Sequence, residues 1–537
     1  MHTKYRALWI ALLILSIVMT FYRIGADSLW YDESYSIAAA GHPVTELVPM
    51  IAEDSHPPLY YLMLRATTLV AGNSRSAARA LSALGAIALA ALGFFGLRKL
   101  WGDKGGLIFS ILILVTPITV AVSHEARMYS WVAFFVTGTV IWGQIALSSG
   151  KKRDWAILSL LTLGAAYTHY YGLLAVALYW LVLLGKTFFG RAEQGGNERL
   201  RAALIVAGIT VAAYLPWLVF LVRQAARVTS NFWIPPVTAG MVVQVLLYPF
   251  SPRWNGPNFA PLIFLAVLGF GAYSAIGRVR RKEEDSFLAS SALAVYALTF
   301  VCAIVLSVAV KPIFYDRYLV SVAGVLVLAF ASFVRTIEKR RVLAIALALY
   351  AVASAPVLFL VYRLEVNGPL DQVVADIGDE VKPGDVFVHG SEHTLGLLRY
   401  AFPNNEHYLY IPEGFVPYGN HAVFKPGVEI GHDLTRYNDK PVTIWYCTRA
   451  NEFYNTPRAA ITDAAYRKVE GAPRSFTKQP GWLTMYVTKV LYDPAKAESG
   501  FKGTGNLTAV VSGLDPSRNG KLCYALYESD PIDPSNF

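Results

Sequence analysis

Long apolar runs recur from residue 7 to residue 362, each closed by a short cluster of charged or aromatic residues. Eleven of them read as membrane-crossing helices: 7–24, 77–97, 106–122, 130–148, 155–168, 171–186, 202–222, 261–277, 287–310, 319–334 and 341–362. A helix needs about 20 apolar residues to cross the hydrocarbon, with a lower limit near 17. The fifth and sixth runs are the marginal pair, divided only by the polar-aromatic link around His169. From about residue 364 the pattern changes. Val373 to Val381 and Thr394 to Tyr400 read as helices, and Asp385 to His389, Val442 to Tyr446 and Trp482 to Tyr492 as strands. This predicts a small α/β domain of about 130 residues. After it comes a tail with strand-like runs at Leu507 to Val511 and Leu522 to Tyr527.

The basic residues order the spans. Lys4 and Arg6 precede the first run, and Arg98, Lys99 and Lys104 follow the second. Further clusters are Lys151 to Arg153, Lys186 to Arg201, Arg278 to Lys282 and Arg335 to Arg341. With eleven spans, all six clusters fall on one face. Loops rich in Lys and Arg stay cytoplasmic, so the N-terminus is expected inside and the C-terminal domain outside. The stretch 57–72 is apolar enough to tempt a twelfth span, but it opens with two prolines and contains Arg65. Counting it would put later basic clusters on the wrong side. It is read as an amphipathic helix lying in the interface, within a first outer loop of about 25–76.

Composition agrees. The chain has 537 residues, 55% of them hydrophobic and 16% charged, with a mean hydropathy of +0.42. Soluble domains are usually less apolar. The expected fold is a polytopic α-helical membrane protein, residues 1–362, with a C-terminal extracytoplasmic α/β domain and strand-rich tail, residues 363–537. The net charge of +10 reads as topology and not as nucleic-acid binding. The first span lacks a small-residue cleavage site and is read as a retained anchor. Three cysteines exclude a disulfide-rich scaffold. Cys447 and Cys523 fit either a disulfide or two buried thiols, and Cys302 reads as packing within a span.

On this topology several polar clusters reach the same outer face: Asp32-Glu33, His56-Pro57-Pro58-Leu59-Tyr60-Tyr61, Arg79, His124-Glu125-Ala126-Arg127-Met128-Tyr129, His169-Tyr170-Tyr171 and Tyr315-Asp316-Arg317-Tyr318. Ionisable groups near a membrane are costly and tend to be functional. Asp32 is the candidate general base for sugar transfer with inversion, where a carboxylate takes the acceptor's proton. Glu33 would bind substrate, hold a metal or orient Asp32; both acids could instead cap the helical run at 34–40. His56 is a candidate phosphate donor or metal ligand. Arg79, Arg127 and Arg317 are cations on the side that the charge bias disfavours, which points to an anion such as a lipid phosphate; snorkelling to headgroups is the alternative. Glu125 is either a second acid or the partner of Arg127. Tyr60, His124, Tyr129 and His169 complete the candidate substrate contacts, although the tyrosines beside His169 fit an aromatic belt. His389, Glu392 and His393 lack a metal spacing and are read as surface residues. No P-loop, dinucleotide fingerprint or zinc motif is present.

These motifs resemble the GT-C membrane glycosyltransferases, in the branch of the protein O-mannosyltransferases and lipid A aminoarabinose transferases. There an Asp-Glu pair opens the first outer loop, as Asp32-Glu33 does here. A His-Pro-Pro-Leu element follows, matched by His56 to Leu59, and an Arg near the loop's end, matched by Arg79. Glu125 to Tyr129 is similar to an acidic-Arg-Tyr element of the second outer loop, and Asp316-Arg317-Tyr318-Leu319 to a late outer-loop motif. The resemblance covers residues 1–362. It implies a polyprenyl-monophosphate sugar as donor, transfer on the outer face of the plasma (inner) membrane, Asp32 as base, and the three arginines as phosphate contacts. The acceptor would be a lipid, glycan or protein. No cofactor is required by the motifs, and a divalent metal is left open. The rival readings are a glycan polymerase or ligase using a lipid pyrophosphate, and a lipid-linked-sugar transporter. A transporter should show paired halves or helices broken at the bilayer midplane, and no such repeat is visible.

Overall fold

The computed structural model describes residues 3–227, 234–252, 258–281, 283, 286–363, 367–411, 421–431, 442–449, 468–477 and 484–492. The chain forms two compact units, Met1–Gly25 with Ala40–Leu364, and Ala26–Ala39 with Glu365–Phe537.

The first unit is helical. Among the described residues, nine helices are long and apolar enough to cross a membrane. One of these, Arg75–Val115, is two helices, because Gly102 has φ 68° and breaks it. The second half folds back on the first: Ser110 Oγ donates to the Ala90 carbonyl at 2.6 Å, and a Cβ on Gly106 would meet the Gly93 carbonyl oxygen. Only glycine permits so close a backbone approach. The predicted spans 77–97 and 106–122 are therefore separate. The Lys152–Thr168 helix has 17 residues and packs between its neighbours through the same kind of close contact. Phe135 covers Gly164, and Val132 and the Ala165 carbonyl face Gly172. Polar bonds tie the helices, as expected where lipid offers no hydrophobic drive: Trp180 Nε1 to Thr162 Oγ1 at 3.1 Å, Ser159 to Thr210 at 2.7 Å and Thr116 to Tyr350 at 2.8 Å. The Leu59–Ala71 helix has 13 residues, about 20 Å at 1.5 Å per residue, too short to cross. Tyr60, Tyr61, Leu64 and Thr68 are buried along one face, while Leu69 and Val70 are exposed.

Two ends of this unit can be told apart. At one, Lys104 Nζ donates to the Ile337 carbonyl at 2.7 Å and the Arg335 guanidinium lies 4.7 Å from the Trp101 ring. Two of the basic clusters placed on one face by the charge pattern thus meet. The Asp316–Val334 segment, 19 residues long, leads from there to the other end, where the Tyr318 ring lies tilted 5.2 Å from His169.

The second unit holds a six-stranded sheet ordered β3-β2-β1-β4-β6-β5. Its strands are β1 (Val386–His389), β2 (Glu406–Tyr410), β3 (Val428–Gly431), β4 (Val442–Arg449), β5 (Lys468–Thr477) and β6 (Thr484–Tyr492). The first four are mutually parallel, and β6 and β5 add antiparallel. β1 is buried throughout, as a central parallel strand must be. The Glu392–Ala401 helix links β1 to β2, its start capped by Ser391 Oγ, which accepts from the His393 amide at 3.1 Å. The segment 26–39 is stitched into this unit. Asp27 accepts from the Asn367 amide at 3.4 Å, Ser28 Oγ from the Asp371 amide at 3.3 Å, and Ser34 packs against Gly396.

The α/β expectation holds, with three strands that the pattern did not indicate. One surface expectation is corrected. His389 is fully buried, its ring stacked on His407 at 5.2 Å and near Phe387 at 6.3 Å. Its strand is central and its flanking residues are apolar, so the imidazole has nowhere to meet water. Cys447 is also buried and donates to the Trp445 carbonyl at 3.5 Å. Cys523 and the predicted tail strands lie outside the described residues.

Candidate functional site

In the first unit the motif residues converge around Arg127. Residues 124–128 form a tight turn ahead of the Tyr129–Ser149 helix, closed by the Arg127 amide donating to the Glu125 carbonyl at 2.7 Å. Ser82 Oγ donates to the Arg127 carbonyl at 2.9 Å and is itself bonded to the Tyr60 hydroxyl at 3.1 Å. Tyr60 thereby fixes the main chain that carries the guanidinium. The Arg127 side chain is buried, with Nη1 3.5 Å from the Tyr61 hydroxyl and Nη2 3.4 Å from His56 Nε2. The other ring nitrogen of His56 lies 3.1 Å from Ser55 Oγ and 3.4 Å from Asp54 Oδ2.

Asp54 is held from behind. Gln224 Nε2 donates to the carbonyls of Ile51 and Ala52, at 3.0 and 3.1 Å, and Gln224 is bonded in turn to Tyr170, whose hydroxyl accepts from Trp217 Nε1 at 3.2 Å. Burial is the largest single influence on the Asp54 carboxyl and pushes its pKa up. The hydrogen bond and charge of His56, the Ser55 backbone and the Arg127 charge together outweigh it, leaving the carboxyl below its ordinary value. Asp54 is therefore ionised at neutral pH.

His169 closes the cluster. It is the N-cap of the Tyr170–Phe189 helix, and its Nδ1 accepts from the Tyr171 amide at 3.1 Å. That bond places the ring proton on Nε2. Burial, and then the neighbouring His56 and Arg127, hold its pKa well below the usual histidine value. The ring lies 5.7 Å from His56, 6.0 Å from Tyr129 and 5.2 Å from Tyr318. The result is a cluster of aromatic rings around one guanidinium, one neutral imidazole donor and a carboxylate–imidazole pair.

The other predicted residues are placed less centrally. Arg79 is fully buried and donates to the Ile24 carbonyl at 3.0 Å, so it does not snorkel. His124 is buried and bonds the Thr20 carbonyl at 3.1 Å. Glu125 is half-buried in the turn. The Arg317 guanidinium lies 5.4 Å from the Tyr315 ring, and its amide donates to Asp316 at 2.6 Å. Gln244 donates to the other Asp316 oxygen at 3.0 Å.

Asp32 and Glu33 belong to the second unit and start the Tyr31–Gly41 helix. Glu33 is fully buried; its Oε2 accepts from the Trp30 amide at 3.3 Å and from Asn367 Nδ2 at 3.5 Å. Asp32 keeps partial exposure. The two adjacent acids thus have different environments. Beside them the Tyr31 ring lies 4.8 Å from His393, and the buried His421 is 3.1 Å from Glu392.

Asp54 and Tyr61 are the members of the Arg127 cluster that sequence reasoning passed over. The available signal was Asp54 two residues ahead of His56 and just before a diproline, a spacing that lets both side chains turn toward one point. Among the described residues no group of three or more His, Cys, Asp or Glu side chains is close enough to hold a metal ion.

No family model matches the sequence, and no curated protein is similar to it in sequence. Solved structures are similar in fold. ArnT from Cupriavidus metallidurans in the apo state superposes with a TM-score of 0.59 over 91% of this chain and 99% of that chain, at 13% identity. ArnT from the same organism bound to undecaprenyl phosphate gives 0.57 over 89% and 98%, also at 13% identity. At that identity the likeness is one of fold. The chain is a multi-pass membrane protein that shares the fold of ArnT and has a C-terminal α/β region.

Proposed function

We propose that the protein is an integral-membrane inverting glycosyltransferase. It moves a sugar from a polyprenyl-monophosphate donor to an acceptor on the extracytoplasmic face. The observation that carries this reading is the Arg127 cluster. His56, Tyr60, Arg127, Tyr129 and His169 come from separate stretches of the chain and meet at one end of the bundle, in a fold shared with ArnT, which has been crystallised with undecaprenyl phosphate. A buried guanidinium is suited to phosphate oxygens, which it binds through paired N–H donors.

In this mechanism Asp32 takes the proton of the acceptor hydroxyl as that oxygen attacks the anomeric carbon. The bond from that carbon to the phosphate oxygen breaks on the opposite side, and polyprenyl phosphate leaves. Arg127 meets the charge that develops on the phosphate, where preorganised donors act most strongly. The Nε2–H of His169 is a further phosphate or sugar donor, and His56 acts on the phosphate end through its contact with Arg127. Arg79 and Arg317 support the phosphate end, and Glu125, His124, Tyr60 and Tyr129 line the sugar. Glu33, buried and bonded to Trp30 and Asn367, holds the turn that presents Asp32. On this reading the Lys104–Arg335 end faces the cytoplasm of a plasma (inner) membrane, the side that basic loops favour, and the Arg127 end faces outside.

The test is donor turnover by the full-length protein in lipid. A panel of labelled polyprenyl-phosphate sugars is offered with envelope extract as acceptor, to wild type and to Asp32→Asn. Release of polyprenyl phosphate by wild type alone is expected. Full activity in Asp32→Asn would remove Asp32 as base, and consumption only of pyrophosphate-linked donors would replace the donor class.

A further inference from the structure

The hydrogen-bond roles around His56 can be deduced from its neighbours. A guanidinium has five N–H donors and accepts nothing. The His56 Nε2 that lies 3.4 Å from Arg127 Nη2 must therefore be the bare nitrogen of the ring. The ring proton is then on Nδ1, the atom facing Ser55 Oγ at 3.1 Å and the Asp54 carboxylate at 3.4 Å. Asp54 supplies a carboxylate acceptor on that side, buried beside His56 and near the Arg127 charge. The 3.4 Å separations are long, as catalytic hydrogen bonds often are before the ligand arrives.

We propose that Asp54 is a positioning residue for the transfer reaction. It fixes the tautomer and the orientation of His56, and through His56 it aims the Arg127 guanidinium at the donor phosphate. The proposal rests on the reading of the site as one for a phosphate-bearing lipid. The imidazole between them passes the orientation of the Asp54 carboxylate on to the Arg127 guanidinium. The hydrogen bond that a carboxylate accepts from one ring nitrogen sets which nitrogen of a histidine carries the proton. The diproline that follows His56 and the Gln224 bonds to Ile51 and Ala52 hold the two ends of the short segment bearing the pair. This explains why an acid, a histidine and two prolines stand so close together in sequence.

The experiment uses the full-length protein in lipid nanodiscs with histidine labelled in 15N, the His56 signal being assigned by its loss in His56→Gln. Without ligand, wild type is expected to carry the His56 proton on Nδ1, and Asp54→Ala to show an averaged tautomer. Asp54→Asn should raise the KM for the polyprenyl-phosphate sugar on the order of tenfold, the scale of a lost charge-assisted hydrogen bond, with a smaller effect on kcat. Asp54→Glu, which restores the charge, should recover part of it. A His56 proton on Nε2 in wild type overturns the proposal. So does a folded Asp54→Asn protein whose donor KM equals that of wild type. Wild type that turns over no such donor while His56 keeps its Nδ1 proton defeats the functional reading and leaves the positioning geometry standing.

Discussion

Two adjacent carboxylates show how far a residue's neighbours decide its work. Glu33 accepts from the Trp30 amide and from Asn367, and no part of it meets water. Asp32, one residue earlier, stays partly exposed. Asp32→Asn is therefore expected to lower kcat by about 10²- to 10⁴-fold, the usual contribution of a general base, with an unchanged melting temperature. Glu33→Leu should do the reverse in emphasis, lowering stability by about 1–3 kcal/mol by leaving the Trp30 and Asn367 donors unsatisfied. Thermal unfolding in lipid alongside donor turnover separates the two; equal losses of turnover without destabilisation would make Glu33 a reacting group. Sequence showed the acidic pair, because two charges beside a membrane have no packing role. It could not divide their roles, since the partner that buries Glu33 lies 334 residues away. Asp54 escaped for a related reason. Its importance comes from Arg127, which is 71 residues from His56, and not from any local pattern.

Elements were more legible than residues, because apolar length and turn chemistry are local. The predicted spans coincide with helices such as Tyr129–Ser149, Ser286–Ala309 and Arg340–Arg363, and the diproline stretch formed the short Leu59–Ala71 helix. The missed strands have visible causes. β2 carries Glu406 and His407, β3 has only four residues, and β5 contains Gly471 and Pro473, where its register shifts between Glu470 and Arg474. Proline is confined to edges and bulges of sheets, and β5 is at the edge. The hairpin between the second and third spans is sensitive to a single change. A Cβ on Gly106 would strike the Gly93 carbonyl, which is backbone and cannot turn aside. Gly106→Val should destabilise by about 1–3 kcal/mol or more, as overpacking does. Gly269, whose added Cβ would meet nothing, provides the contrast. Gly269→Ala in the Ala260–Arg280 helix should be neutral or stabilising by about 0.5–1 kcal/mol. Melting curves in one detergent test both, and a Gly106→Val protein as stable as wild type would mean that the hairpin can open without loss.

On the scale of the whole molecule, the two units should respond differently to acid. In the bundle the close Gly93–Gly106 approach is held by backbone packing and the Ser110 bond to Ala90, which do not titrate, whereas the bundle's own shifted groups, Asp54 and His169, sit apart in the Arg127 cluster. The sheet contains a buried imidazole pair whose proton positions are fixed. The Phe402 carbonyl accepts from His407 Nε2 at 2.9 Å, so His407 Nδ1 is bare and accepts from His389 Nε2 at 3.0 Å. His389 Nδ1 then faces the Thr394 hydroxyl at 3.1 Å. A second proton on His407 would set two N–H groups against each other and charge a ring stacked on Phe387 at 5.0 Å. Burial, opposed by the Phe402 bond and aided by the Arg399 charge, lowers His407 to about 4. Burial and His407 lower His389 well below its ordinary value. Since the unfolded chain binds these protons first, stability is complete above about pH 6.5 and declines as pH falls toward 4. For His407 alone the shift corresponds to roughly 3 kcal/mol at 1.36 kcal/mol per unit. Hydrogen exchange read by mass spectrometry should show β1, β2 and β4 losing protection between pH 6.5 and 4, once corrected for the intrinsic pH dependence of exchange. Peptides of the Gly93–Gly106 hairpin should keep theirs. Equal acid sensitivity in both would mean that the pair is not what titrates, whereas a His407→Phe protein with a flattened pH response in the sheet would assign the effect to the imidazoles themselves.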